Sequence, residues 1–269
     1  MNSASIPRVV FGRVTISTGV NDVIRFYDGT ANRTATLVAG SYYVRGDNVT
    51  TTGQGDLLYA IAYAMNNAPS TGITTFTATV ANADGASQGK VTIAAGATFS
   101  LLWTDGSMSF SGASIGFETA ADDTGAATYT SDNPCPTIWY PGIEAEYQPN
   151  RPKKVRTRSE SVSGVVDVQR IRASLASGVA KIAPLVPSKV NSDDAAATAV
   201  VFEDFWEDAG DGGPFLYYPL YTSNTGPVHR IIDDAAWGDD FTTAAQLIEG
   251  YGGTVYGATI PMIAWVSPT

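Results

Sequence analysis

The sequence predicts a mainly β fold, a β-rich α+β arrangement with antiparallel sandwich or barrel-like sheets and one flanking helix per half. Many short segments alternate apolar and polar residues with a period of two, as half-buried strands do. Gly, Asn, Asp and Pro punctuate these segments, and most connections between them are too short for a crossover helix. Two segments instead carry apolar residues at helical spacing.

The predicted strands fall on both sides of a proline-rich middle. In the first half we expect strands over 9–16, 23–27, 34–45, 74–80, 90–94 and 99–103. In the second half we expect them over 161–174, 179–186, 215–220, 228–232 and 254–266. A further short strand over 155–159 follows the prolines directly.

The first predicted helix covers about 55–67. Asp56 suits an N-cap because its side chain can accept a hydrogen bond from the first free backbone N–H groups. Leu57, Ile61 and Met65 then recur every four residues, and Asn66 to Pro69 provides a stop signal. This pattern predicts an amphipathic helix that covers one face of a sheet.

The second predicted helix covers about 194–209 and has a strongly aromatic face. Phe202, Phe205 and Trp206 lie on neighbouring rows of this helix. A strand with Phe215, Tyr217 and Tyr218 follows at once, and an aromatic helix face needs such a sheet to pack against. We expect these six residues to form one core.

Prolines at 134, 136, 141, 149 and 152 suggest an irregular bridge between two domains. We place the boundary near Asn150. This gives a β-rich domain over 1–150 and a second β domain over 151–269. A chain of 269 residues is long enough for two modest cores.

Charge limits the partners of this chain. Sixteen Lys and Arg face 26 Asp and Glu, a net charge of −10, which repels phosphate backbones and anionic lipids. We therefore expect no sequence-specific nucleic-acid binding. We also expect no membrane association, because no apolar run approaches the roughly 20 residues that a spanning helix needs. The opening MNSASIPRVV lacks signal-peptide features, which predicts synthesis in the cytoplasm.

One short basic segment stands out in this acidic chain. Its cations are Arg151, Lys153, Lys154, Arg156 and Arg158. Three interpretations remain open: a solvated strand face, a complement to an acidic surface on a neighbouring subunit, and a nucleic-acid contact. The third is disfavoured because no interleaved aromatic residues offer a stacking platform.

No residue pattern predicts catalysis, a cofactor or a metal. The only cysteine, Cys135, suits a buried thiol, and the only histidine, His229, suits a strand position. Gly112 to Gly116 matches the GxSxG elbow of serine hydrolases around Ser114, but no helical stripe follows it, so a glycine-flanked turn is the simpler interpretation. Most of the paired acids fit caps and turns, although the DAGDGG segment at 208–213 weakly resembles a calcium loop.

Two stretches resemble virion proteins of tailed bacteriophages. The first runs from LVAGSYYVRGD through DLLYAIAYAMN to FSLLWTDGSMSFSGASIGFETAADDTGAATYTSD, and the second is VVFEDFWEDAGDGGPFLYYPL. The second is similar to the helix and strand of tail-tube and distal-tail subunits. This resemblance implies a β-sandwich with a flanking helix that forms rings with copies of itself and contacts other virion tail proteins. An acidic lumen would suit passive passage of DNA.

The leading hypothesis is therefore a structural, non-enzymatic subunit of the virion tail, forming a homo-oligomeric ring in the tube or at the distal end. One alternative is a head-to-tail connector or capsid-associated protein. Another is a carbohydrate-binding or receptor-binding module of the virion. Exposure of Trp103, Trp139, Tyr140 or Tyr147 in a groove would favour sugar binding, whereas burial would assign these rings to the core.

Overall fold

The computed structural model describes residues 8–47, 55–82, 85–140, 144–153, 156–160, 166–170, 175–185, 200–209, 214–218, 228–231, 245–247 and 256–264. Within these residues the chain is strand-rich with two helices, so the predicted mainly β fold is confirmed. The strand pairs are antiparallel apart from one short parallel pair, β5 with β6.

Helix α1 and ten strands lie before residue 140. The helix is Leu57–Asn66. The strands are β1 Arg8–Val10, β2 Val14–Ile16, β3 Val23–Tyr27, β4 Asn32–Thr36, β5 Gly40–Tyr43, β6 Gly55–Asp56, β7 Thr77–Val80, β8 Lys90–Leu101, β9 Asp123–Pro134 and β10 Ile138–Trp139.

Helix α2 and the remaining described strands follow. The helix is Phe202–Ala209. The strands are β11 Glu144–Lys153, β12 Arg156–Glu160, β13 Val166–Arg170, β14 Leu175–Leu185, β15 Pro214–Tyr218, β16 Val228–Ile231, β17 Ala245–Leu247 and β18 Tyr256–Ala264.

The largest sheet takes strands from both halves of the sequence. Its order is β10-β1-β15-β16-β18-β14-β11, with β17 also paired to β18. Strand β1 lies between β10 and β15, so the N-terminal part of the chain is hydrogen-bonded to the C-terminal part. The expected boundary at Asn150 falls inside β11, and the division into two domains stays a prediction.

A second sheet has the order β4-β3-β8-β7, with β9 on the other edge of β8. Strand β8 is a single long strand where two were expected, because its register shifts between Ala94 and Phe99 without ending the pairing. Strand β9 was not predicted, since its Thr, Ser and Gly residues give a weak apolar alternation. Tyr129 and Ser131 nevertheless point into the interior.

The proline-rich middle holds more regular structure than the expected irregular bridge, because β10 and β11 lie within it, while residues 135–137 form a turn outside the strands. Strand β9 ends at Pro134, and Pro149 and Pro152 both lie within β11. Strand β11 is the last strand in the order of its sheet, so one of its edges has no described neighbour. A proline that lacks an N–H group is tolerated on such an edge.

The core of the first half contains a chain of aromatic rings beneath α1. Phe76 contacts Phe26 at 5.2 Å and Phe99 at 5.1 Å, and Tyr129 lies 4.9 Å from Phe99. All three pairs pack edge to face, the geometry that the aromatic quadrupole favours. The apolar face of α1 covers this core, and its three expected contact residues are fully buried: Leu57, Ile61 and Met65.

Asp28 fixes the turn between β3 and β4 and the loop that follows α1. Its buried carboxylate accepts hydrogen bonds from the Thr30 hydroxyl, the Ala31 and Gly72 N–H groups, and the Arg33 guanidinium at 2.8 Å. Burial by itself would raise the pKa of Asp28, but these donors outweigh it and hold the pKa far below its usual range. The carboxylate therefore stays charged in the folded protein at neutral pH.

Helix α2 begins at Phe202 rather than at the expected residue 194. Residues 194–199 lie outside the described residues, and Val201 is already outside the helix. The start is set by Asp204, whose carboxylate accepts a hydrogen bond from the Val201 N–H at 2.8 Å. An acidic side chain three residues into a helix satisfies the free N–H of the capping residue in this way.

Candidate functional site

Helix α2 packs its aromatic residues against strand β15. The Phe205 ring lies 5.2 Å from that of Phe215 and 6.0 Å from that of Phe202. These three side chains are fully buried, whereas Trp206 is half-buried, 6.0 Å from Phe202. The structure therefore brings the predicted helix and strand residues together in the interior, where such ring pairs each contribute about 0.5–1.5 kcal/mol beyond burial.

Two rings from the first half complete this aromatic core. Trp139 of β10 stacks on Phe205 with centroids 5.5 Å apart and planes 11° apart, and it lies 5.1 Å from Phe202. Phe11 meets Phe205 edge to face at 5.6 Å. Strand β1 pairs with β10 on one side and with β15 on the other, which places these rings against α2. Sequence reasoning missed both contacts, because they depend on pairing across about 200 residues of chain.

Trp103, Trp139 and Tyr140 were candidates for an exposed sugar-binding groove, and all three are buried. Burial is the main cause that raises the pKa of Tyr140, so this phenol stays protonated. By the criterion set from the sequence, these rings belong to the core. The side chain of Tyr147 lies outside the described residues.

Tyr217 is buried, and the sixth predicted core residue, Tyr218, takes part in a buried ionic cluster. The Tyr218 hydroxyl donates to Asp47 at 3.0 Å and accepts from the Arg45 guanidinium at 3.0 Å. Arg45 also forms an ion pair with Asp47 at 2.7 Å, and these two side chains are 2% and 0% exposed. Burial raises the pKa of Tyr218, and the Asp47 charge acts in the same direction, so the phenol remains a donor.

Asp56 connects this ionic cluster to helix α1. Its buried carboxylate accepts hydrogen bonds from the Leu58 N–H at 3.0 Å, the Arg45 N–H at 3.2 Å and the Asp47 N–H at 2.9 Å. The predicted N-cap of α1 is therefore present. The Asp56 carboxylate also bonds the backbone of both residues of the ion pair, Arg45 and Asp47. Helix capping and the position of the ion pair therefore depend on this one side chain.

A cleft of about 570 Å³ lies beside the outer face of α1, a volume typical of small-molecule sites. The helix contributes Tyr59 and Tyr63 to one wall, and Tyr42 and Val38 lie on the segment that forms the other. The lining also includes Thr34, Thr36, Ser41, Gly55, Asp56, Asn67, Pro69 and several alanines. We call this space the α1 cleft.

The basic residues lie in an extended hairpin. Strands β11 and β14 are paired, from Glu144 opposite Ile182 to Lys153 opposite Leu175. Strands β12 and β13 lie between β11 and β14 in the sequence and pair with each other. Two residues separate β11 from β12 in the sequence, and four separate β13 from β14. We call the whole segment, residues 144–185, the arm.

The expected basic cluster maps to the arm. Arg151 and Lys153 belong to β11, and Arg156 and Arg158 belong to β12. Lys154 lies outside the described residues. Arg156 and Arg158 are two residues apart in β12, and the single cationic face expected for this strand stays a prediction. Arg156 pairs directly with Arg170 of β13, which places two cationic residues opposite each other.

The groups considered for catalysis occupy structural positions. Ser114 lies in a 3-10 turn, Gly112–Ile115, and its hydroxyl donates to the Ser111 carbonyl at 2.7 Å. Gly116 ends this turn at a φ of +91°, and a Cβ there would lie 2.3 Å from the Asn133 carbonyl oxygen, so only glycine fits. The segment is thus the glycine-flanked turn that the sequence suggested.

The lone thiol and the lone histidine also lie where they were expected. Cys135 is buried, and burial raises the pKa of its thiol to about 11, which keeps it protonated and unreactive. His229 is in strand β16, paired with Phe215 and Ala264.

The acidic residues of these patterns that the structure describes accept hydrogen bonds from donors elsewhere in the fold. Asp122 accepts from the N–H and hydroxyl of Thr104, and Asp123 accepts from the Trp103 indole at 2.8 Å. Asp208, the first residue of DAGDGG, accepts from the Gly12 N–H at 2.9 Å. Within the described ranges, no three His, Cys, Asp or Glu residues form a cluster suited to a metal ion. The other acidic pairs of the sequence, at 193–194, 233–234 and 239–240, and residues 210–213 of the DAGDGG segment lie outside the described residues.

Sequence reasoning also missed the α1 cleft and the buried ion pair. A signal for the cleft was present, because Tyr59 and Tyr63 stand four residues apart on the side of α1 away from the predicted core. The partnership of Arg45 with Tyr218 left no such signal, since 173 residues separate them.

Comparison with protein-family models and with curated proteins finds no match for this chain. In the part of the chain that the structure describes, no helix is long and apolar enough to cross a membrane.

Proposed function

We propose that this protein is a structural subunit of a bacteriophage tail that assembles with copies of itself into a ring, in the tail tube or at the distal end. Its contacts are with sister subunits and with other virion tail proteins. The single observation that carries the proposal is the arm, which ends the large sheet at β11, continues into the β12–β13 ribbon and concentrates basic residues.

The geometry of the arm favours assembly. An isolated two-stranded ribbon is at best marginally stable in water, because it has too little sheet to bury a face. In the described strand order, β12 pairs with β13 alone, and β11 has a neighbour on one edge. An unpaired edge with free N–H and C=O groups is a template for pairing with another chain. A neighbouring subunit would supply that pairing.

The charge of the arm identifies the kind of surface that it would meet. Like charges directly opposite each other across a ribbon are destabilising, and Arg156 stands opposite Arg170. Without the five cations from Arg151 to Arg158, the chain would hold 11 Lys and Arg against 26 Asp and Glu, a net charge of −15. A sister copy therefore offers the acidic complement, and opposite charge fixes the register between subunits.

The packing of α2 supports the same proposal. The resemblance to tail subunits rests on a helix with Phe202 and Trp206 that meets a strand with Phe215 and Tyr217, and these two elements pack together here. A strand-rich scaffold with such a unit is compatible with ring-forming subunits. The net charge of −10 would keep a central channel from binding DNA.

The test is the oligomeric state of the purified full-length chain. We expect light scattering after size-exclusion chromatography to give a mass several times 28.2 kDa, and negative-stain electron microscopy to show closed rings. Arg158→Glu should shift the distribution to the monomer, because it places an acid where the acidic neighbour binds. Higher salt should weaken the wild-type assembly in the same direction.

Lys90→Glu is the matched control, because it makes the same change in net charge on strand β8, which is not part of the arm. We expect this variant to assemble like the wild type. If both reversals have the same effect, net charge rather than the arm controls assembly. If the wild type stays monomeric at every concentration and salt condition, the proposal is wrong.

A further inference from the structure

The α1 cleft has the size and the preformed shape of a ligand site. Hydrogen bonds fix both sides of it: Tyr42 donates to the Val38 carbonyl at 2.8 Å, and the Asn67 amide donates to the Tyr63 carbonyl at 2.8 Å. The Asp56 cap holds the start of the helix that forms one wall. A site that is already ordered loses less conformational freedom when a ligand binds.

The walls of the cleft expose aromatic and aliphatic surface. The rings of Tyr59 and Tyr63 stack with centroids 5.9 Å apart and planes 22° apart. Tyr63 is 53% exposed, and Val38 on the other side is 70% exposed. Exposed apolar surface gathered in a concave site marks a place for a ligand or a partner. Stacked, parallel rings favour a ligand that also has a flat apolar face.

The polar groups of the cleft are neutral apart from the Asp56 carboxylate. Hydroxyl groups come from Thr34, Thr36 and Ser41 as well as from the tyrosines, and Asn67 adds an amide. The only ionisable carboxylate in the lining is Asp56, whose oxygens already accept hydrogen bonds from backbone N–H groups. An anionic ligand would therefore find no opposite charge in the lining to compensate for its desolvation, and a cation would compete with the backbone N–H groups that already bond Asp56.

Two phenol groups remain available to a ligand. Among the described residues, the hydroxyls of Tyr59 and Tyr63 have no intramolecular hydrogen-bond partner. Each hydroxyl can both donate and accept. A pure hydrocarbon ligand would cover these groups without satisfying them, which costs about 1–3 kcal/mol for each buried group.

We propose that the α1 cleft binds a neutral carbohydrate, with a pyranose ring stacked on Tyr63 and its hydroxyls bonded to the phenols and the Thr and Ser side chains. A sugar combines an apolar C–H face with many neutral hydroxyls, which matches both properties of the walls. The inference is independent of ring assembly, because the cleft lies on α1, β4 and β5 and not on the arm. It would add surface recognition to a structural subunit.

The test is titration of the full-length protein with neutral trisaccharides of glucose, galactose and N-acetylglucosamine. Tyrosine-region NMR shifts and calorimetry report the binding. We expect at least one of the three to bind with a Kd in the millimolar range or below. Tyr63→Ala should weaken it at least tenfold, whereas Tyr63→Phe should retain most of the affinity because the stacking face remains.

Tyr27→Ala is the matched control, since Tyr27 is another exposed tyrosine that lies outside the cleft lining. It should leave sugar binding unchanged, and circular dichroism should show that all three variants fold. No shift with any of the three sugars at 10 mM, on the order of ten times a typical weak Kd, would overturn the proposal. Binding of an apolar peptide that sugars do not displace would also overturn it, and would indicate a protein-docking groove.

Discussion

Helices α1 and α2 both carry aromatic residues four positions apart, but the two pairs lie in different environments. In α2, Phe202 and Trp206 sit beside Phe205 in a core closed by β15 and Trp139. In α1, Tyr59 and Tyr63 stack on each other and line an open cleft. The same helical spacing thus produces a core in one element and a surface in the other.

The difference follows from which face of each helix meets a sheet. Helix α1 buries Leu57, Ile61 and Met65 against the first-half core, so its tyrosines remain on the other side. Helix α2 has no comparable aliphatic face, and Phe202 and Phe205 take that role themselves. Phenylalanine suits complete burial because it has no polar atom, whereas tyrosine tolerates a half-exposed position with its hydroxyl in water.

The largest expected effect comes from truncating a ring in the α2 core. Phe205→Ala removes contacts with several aromatic neighbours and should lower the free energy of unfolding by about 3–5 kcal/mol. Tyr63→Ala should change it by less than about 1 kcal/mol, because the ring is largely exposed. Urea denaturation followed by tryptophan fluorescence measures both. Equal effects would show that the two aromatic pairs do not differ in packing.

The second comparison concerns two aspartates, one near each helix, whose carboxylates accept a hydrogen bond from a backbone N–H group distant in sequence. Asp28→Asn replaces the carboxylate that holds Gly72 in the loop after α1, and should destabilise the fold by about 2–3 kcal/mol because buried donors lose a charged acceptor. Asp208→Asn alters an exposed contact from α2 to Gly12 and should cost about 0.5 kcal/mol or less. Thermal melts at neutral pH compare the two variants.

The acid profile of Asp28 sharpens this comparison. Its folded pKa is depressed below the usual value of 3.8, so the carboxylate contributes stability that is fully present above pH 3.8. That contribution is lost as the pH falls toward the folded pKa. Asp28→Asn should therefore flatten the acid limb of the stability profile. If the wild type and the variant lose stability equally steeply as the pH falls below 3.8, Asp28 is not the source of this acid dependence.

The last comparison, with the smallest expected difference between its two variants, concerns the two helix starts. Asp56→Ala should cost about 1–2 kcal/mol, because it leaves several buried backbone N–H groups without their acceptor. Asp204→Ala removes a half-buried cap of α2 and should cost about 0.5–1 kcal/mol. Chemical denaturation gives the stability change and far-UV circular dichroism the helix content. A larger cost at Asp204 would reverse the expected order.

Local patterns in the sequence were sufficient for several elements. Strand β3 has its predicted bounds, and α1 begins at the predicted cap, because alternation and capping depend on residues within a few positions of each other. Those local patterns could not predict which strands pair across long separations in the sequence. Strand β9 was missed because Thr, Ser and Gly give weak alternation, and β11 because its prolines suggested a break that an edge strand tolerates.

The candidate sites divide in the same way. The sequence alone predicted that Phe205 and Phe215 would share a core, because a short connection joins an aromatic helix to an aromatic strand, and their rings lie 5.2 Å apart. The sequence alone also showed that the basic residues of the arm are clustered between residues 151 and 158. Only the tertiary structure decided that Trp139 stacks on Phe205, that Arg45 reaches Tyr218 and that Tyr63 borders a cleft. These contacts join residues far apart in sequence, and their energies depend on burial, which arises only when the sheets assemble.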